Sequence, residues 1–224
     1  MKIKIDINIK VNRIIKHLVI SDLLFLGSWS MISPIFSIFI IEKVEGASVV
    51  IVGMVAALYW LVKSLLQMPV ANYLDKTDGE KDDFYALVIA LALAALASFS
   101  FALTKSLWQL FFTQFLYAVA MGLYIPSWTA IFSRHLDEKK ISFDWSLDST
   151  VVGVTSFFAA IFSGVLANWF GFSFVFFAVG TLSLLSAFFI FFTPNLIVPP
   201  KITVAAKEEP VSEIRDHTPA GIGK

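Results

Sequence analysis

Residues 70–84 read VANYLDKTDGEKDDF. Asp75, Lys76, Asp78, Glu80, Lys81, Asp82 and Asp83 crowd this stretch, whereas the run before it, 49–72, carries Lys63 as its single charge. A polar, charge-dense turn between two long apolar segments reads as a cytoplasmic hairpin joining two membrane-spanning helices.

Composition places the rest of the chain in the same solvent. Hydrophobic residues make up 58% and the mean hydropathy is +0.79, above the roughly 45–50% apolar content of a soluble domain. The net charge is +0, so attraction to nucleic acid is not expected. Cysteine is absent, which removes disulfides, thiolate metal sites and cysteine nucleophiles together.

Working outward from the hairpin, apolar runs long enough to cross a bilayer core of about 30 Å occur at 18–41, 48–72, 84–104, 107–133, 146–168 and 172–192. The first run is too long for a signal peptide and is not closed by a small-residue cleavage site. The fold expected is therefore an all-α membrane protein, a bundle of six transmembrane helices over 18–193. Residues 1–17 form a basic arm whose period-two alternation fits either a strand or a segment lying on the membrane surface. The 194–224 tail, rich in proline and charge, has the composition of a disordered cytoplasmic segment.

Basic residues set the orientation. Lys2, Lys4, Lys10, Arg13 and Lys16 precede the first run, Lys76 and Lys81 follow the second, and Arg134, Lys139 and Lys140 follow the fourth. The opposite connections hold Lys43 and Lys105 alone. This asymmetry expects both termini in the cytoplasm of a cell (plasma or inner) membrane.

At the 70–84 turn the residues Ala71, Asp75, Lys76, Gly79 and Lys81 resemble the signature loop of the major facilitator superfamily of secondary transporters, G-x-x-x-D-R/K-x-G-R/K-R/K, with alanine for the first glycine and one extra residue before the second. QFLYAVAMGLYIPSW resembles the family's fourth helix, with Gln114 where arginine is common. Thr155, Ala159, Ala160, Ser163 and Gly164 fall where its antiporter signature places glycines and proline, and WFGFSFVF resembles its turn into the sixth helix. The resemblance implies one six-helix half of a transporter that moves a small solute by alternating access. It also implies a cavity lined by the first and fourth helices.

The charges inside the apolar runs mark pathways by default, because each costs about 2.5–3.5 kcal/mol at a helix centre. Asp22 shares a helical line with Trp29, Ser33 and Ser37, and Lys63 shares one with Ala56, Tyr59, Trp60 and Gln67. An Asp22–Lys63 pair, binding of substrate or proton, and snorkelling are the three readings. Candidates for solute binding or coupling are Asp22, Trp29, Ser33, Tyr59, Lys63, Gln67, Gln114 and Tyr117; candidates for a gating turn are Ala71, Asp75, Lys76, Gly79 and Lys81. Pro34 either opens backbone groups to a cavity or makes a packed kink.

A stripe of Ser149, Gly153, Ser156, Ala160, Gly164 and Ala167 at helical spacing expects close helix packing, static or sliding. Asp144 and Asp148 read as N-capping acids of the fifth helix. His17, His135 and His217 lack metal-ligand spacing, and catalytic or phosphate-binding motifs are absent. The chain is thus expected to be no enzyme and to need no cofactor or metal. Its expected partners are the lipid bilayer, a small solute, a proton or other coupling ion and a second copy in a homodimer. A transporter-derived protein that binds a partner or ligand without transport is the alternative, as is part of a longer transporter.

Overall fold

The computed structural model describes residues 11–76 and 79–193, so most of the basic arm, Thr77, Asp78 and the 194–224 tail lie outside the described residues. Among the described residues there are seven helices: α1 (Arg13–Trp29), α2 (Phe36–Lys43), α3 (Val49–Leu74), α4 (Lys81–Leu103), α5 (Leu107–Arg134), α6 (Ile141–Phe170) and α7 (Phe172–Phe191). The last five are long and apolar enough to cross a membrane.

The first apolar run, expected as one helix, is two. Pro34 has no N–H to give to the Ser30 carbonyl, which removes one rung of the ladder; Pro69 and Pro126 are accommodated inside α3 and α5, but here the helix breaks. The chain instead turns over 30–35, with Met31 N–H on the Ser28 carbonyl at 2.9 Å and Ile32 N–H on the Trp29 carbonyl at 3.0 Å, before α2 resumes.

The ends of the helices follow local chemistry. Asn12 caps α1 by accepting from Ile14 N–H, and Ser48 caps α3 by accepting from Ile51 N–H. Ser106 and Gln109 form a reciprocal capping box at the start of α5. Gly171, at φ +84°, reverses the chain between α6 and α7 with no intervening loop.

Packing relies on small residues, as it must where lipid removes the hydrophobic drive between helices. α4 packs on α5 and α7, α5 on α3, and α1 on α6 and α7. At Gly180 of α7 a Cβ would stand 2.6 Å from the Phe99 ring of α4, and at Gly122 of α5 one would stand 2.9 Å from Leu66 Cβ of α3. Phe25, Phe84, Phe101, Phe132 and Phe176 fill the interior.

Two expectations are corrected. The stripe on α6 does not pack inside the described bundle: Ser149, Gly153, Ala160 and Gly164 are exposed, and a Cβ at Gly153 or Gly164 would meet nothing within 4 Å. Of the stripe, Ser156 reaches α1, its hydroxyl 2.6 Å from that of Ser30, and Ala167 is half-buried. The capping acids also change role, because α6 starts at Ile141 and not near 146. Asp144 accepts from Asp137 N–H of the preceding turn at 3.2 Å, and Asp148 lies two turns inside the helix, buried.

Candidate functional site

Trp29, Ser33, Tyr59, Gln114 and Tyr117 line one cavity of about 370 Å³, together with Ser37, Phe36 and Trp60. α1 delivers Trp29, the 30–35 turn delivers Ser33, α3 delivers Tyr59, and α5 delivers Gln114 and Tyr117. Five of the eight residues named from the sequence for binding thus converge.

The cavity wall is a column of rings. The Tyr117 ring lies flat on Trp29, with centroids 3.8 Å apart and planes at 9°, and Tyr59 stacks on its other side at 5.4 Å and 15°. Trp29 is held from α7, where Ser183 Oγ accepts its indole N–H at 3.0 Å. Gln114 is buried at the cavity wall. Aromatic faces with hydroxyls and one amide are the makings of a pocket for a planar or amphipathic molecule.

The other three residues are placed elsewhere. Asp22 is buried below Trp29 and accepts a hydrogen bond from the Tyr124 hydroxyl of α5. Lys63 does not pair with it: its ammonium sits 4.6 Å above the Trp60 ring and 5.6 Å above that of Tyr59, a cation–π arrangement. Gln67 lines a separate hollow between α3 and α5 with Ala71 and Asp75. Tyr124 and Asp148 were not named from the sequence as site residues. Tyr124 lies seven residues, two helical turns, beyond Tyr117 on α5, and that shared face is the available signal.

In the turn between α3 and α4, Asp75, Lys76, Gly79 (φ +114°) and Lys81 are exposed. The buried charges are others. Asp83 pairs with Arg134, and Glu80 faces His135, Nδ1 to Oε1 at 3.6 Å. His135 Nδ1–H donates to the Ile131 carbonyl at 2.9 Å, and the His135 carbonyl accepts from Asn12 of α1 at 3.0 Å. The cluster therefore ties the starts of α1 and α4 to the end of α5.

Burial pushes the Glu80 carboxyl up, opposed by His135 and Arg134. A carboxyl raised on folding binds its proton more tightly folded than unfolded. It costs nothing below the ordinary carboxylate range and destabilises increasingly as pH climbs through that range to the raised value. We expect Glu80→Gln to raise Tm at neutral pH by about 2–4 °C, the shift of about 1 kcal/mol in a chain this long, and to change nothing near pH 4, below the ordinary glutamate value of about 4.3. Thermal unfolding at both pH values checks this.

The family model of the Major Facilitator Superfamily matches residues 18–220. The chain belongs to the major facilitator superfamily. Among solved structures, the in meso crystal structure of the POT family transporter PepTSo matches with a TM-score of 0.71 at 14% identity, over 85% of this chain and 39% of that chain. This facilitator chain therefore spans about two-fifths of the length of the transporter whose fold it shares. No curated protein matches it. As a multi-pass membrane protein of this superfamily, it carries its ring-lined cavity among α1, α3 and α5.

Proposed function

We propose that the chain is a six-span unit of a secondary transporter that moves a small aromatic or amphipathic solute across the cell membrane by alternating access, with both termini cytoplasmic. The carrying observation is the convergence of Trp29, Ser33, Tyr59, Gln114 and Tyr117 on one cavity. α1 and α2, joined through the 30–35 turn, make the first crossing: 17 and 8 residues give about 26 and 12 Å at 1.5 Å per residue, together enough for a core of about 30 Å. The break at Pro34 leaves Ser33 facing the cavity, a use of irregular backbone confined in lipid to cavity-lining positions.

α3 and α6 are the spans left most open, and they supply the face on which a second unit packs. A second copy in the same orientation pairs there in our reading, as a homodimer closing the cavity from the far side. A proton or another ion drives the cycle.

The test uses the purified chain in liposomes, with counterflow of aromatic carboxylates, aromatic amines and nucleobases. Because the chain holds no cysteine, single introduced cysteines report topology without background. We expect Lys43→Cys to label from outside intact cells and Lys139→Cys only after permeabilisation. Labelling in the reverse sense, or counterflow of no solute by correctly inserted protein, overturns the reading.

A further inference from the structure

Asp148 is unexplained by the cavity, by capping or by ion pairing. It is 8% exposed and its Oδ1 has no hydrogen-bond partner. Its position relative to Asp22 follows from the seam between α1 and α6. Gly27 lies against Thr155, where a Cβ would stand 2.5 Å from Thr155 Cγ2, and Ser30 meets Ser156. The two helices therefore run in the same direction. Counting back from the Gly27–Thr155 contact, Asp22 is five residues down one helix and Asp148 seven down the other, a height difference of about 3 Å. Seven residues are two turns, so Asp148 shares the face of Thr155 that meets α1. The charge of Asp148 acts on both Asp22 and the Tyr124 hydroxyl that Asp22 accepts from.

We propose that Asp22 and Asp148 form a proton site, in which the two carboxylates hold one proton between them at neutral pH while the Tyr124 hydroxyl steadies the ionised partner. Two ionised carboxylates buried side by side with no cation repel each other and lose their hydration, so one of them keeps its proton. The ion pairs Arg134–Asp83 and His135–Glu80 do not involve either carboxyl of the site. Lys63 of α3 is engaged by rings. From α5 the site meets Tyr124, which also feels Tyr117. From α7 the Ser186 hydroxyl bonds to Ser21, the residue before Asp22. On α1 itself His17, five residues before Asp22, bonds to the Arg13 carbonyl and stacks on Phe189.

A second buried orphan lies between α5 and α6. Trp128 Nε1 has no partner. Trp128 is one turn from Tyr124 on α5, and its ring packs edge-on against Trp145, one turn before Asp148 on α6. An unengaged donor and an unengaged acceptor are what a proton-carrying water requires to pass between them.

That this proton drives solute movement rests on the transport reading, but the proton site itself does not. The full chain in lipid nanodiscs is titrated by infrared difference spectroscopy of the protonated carboxyl band, wild type against Asp22→Asn, Asp148→Asn and Tyr124→Phe. We expect a band present at neutral pH whose midpoint falls by at least about one pH unit in either asparagine variant, because the repelling neighbour is gone. Tyr124→Phe raises the midpoint, because the ionised form loses its donor. Shifts of opposite sign from near-isosteric changes are not what loosened packing produces. A spectrum with no protonated carboxyl at neutral pH, or midpoints unmoved by both asparagine variants, overturns the site. Loss of the band on adding sodium chloride at fixed pH overturns it in favour of a metal cation. If the titration behaves as expected while counterflow shows no uptake, the proton site stands and the transport reading falls.

Discussion

Alanine in place of Trp29 reduces uptake of an aromatic solute by about 30-fold or more. The ring forms one wall of the cavity and holds Tyr117 in register at 3.8 Å, so its loss removes a stacking surface and loosens the next one. A buried aromatic contact is worth about 1.5–3 kcal/mol by area and about 0.5–1.5 kcal/mol more by ring geometry. At 1.4 kcal/mol per decade, even the low end gives that factor. Trp29 is itself buried, and its truncation also lowers stability. Trp29→Phe separates the two effects, since it keeps a ring against Tyr117 and gives up only the indole N–H to Ser183. We expect it to retain most uptake. Equal loss in both variants of correctly folded protein would move the solute site away from these rings.

The apolar runs were legible because lipid demands about 20 consecutive apolar residues and tolerates few charges within them. The column of rings was legible in part for a related reason: polar and aromatic residues on one helical line, such as Trp29 with Ser33 or Tyr59 with Lys63, stand out against an aliphatic background. Periodicity gives the face of a residue but not the helix that the face meets. Asp22 and Lys63 each lie on a polar line, yet Asp22 meets Tyr124 and Lys63 meets the rings of Trp60 and Tyr59. For the same reason the small-residue stripe of α6 speaks of close approach without saying to what: Ser149, Gly153, Ala160 and Gly164 face out of the bundle, while Ser156 meets Ser30 of α1. Asp148 is displaced by a boundary: the charged stretch RHLDEKKISFD, 134–144, reads as loop with the helix from about 146, whereas Ile141 and Phe143 already belong to α6, and five residues of extra helix turn a terminal acid into a buried one.

Replacing Arg134 with methionine is expected to lower stability by breaking the pair at the α4–α5 end of the bundle. Asp83 is 0% exposed and keeps one carboxylate oxygen on the guanidinium, while its other oxygen has no partner. Taking the cation away leaves a buried, uncompensated carboxylate, which costs about 3–5 kcal/mol. The Arg134 side chain is 33% exposed, so water already screens part of the attraction and the lower end applies. About 3 kcal/mol corresponds to a fall of about 6–12 °C in Tm for a chain of this length. The pair is poor evidence of net stabilisation all the same, because both groups lose hydration to make it. We therefore expect Asp83→Asn combined with Arg134→Met to recover most of the loss, and Arg134→Lys to recover part of it, since a lysine supplies the charge without the forked donors. A double variant as unstable as Arg134→Met alone would mean that the arginine acts through packing between α4 and α5 and not through its charge. Recovery would mean that the turn retains this pair for something other than stability. A contact that joins the start of α4 to the end of α5, beside the His135 carbonyl that anchors the α1 cap Asn12, is placed to hold the ends of three helices together.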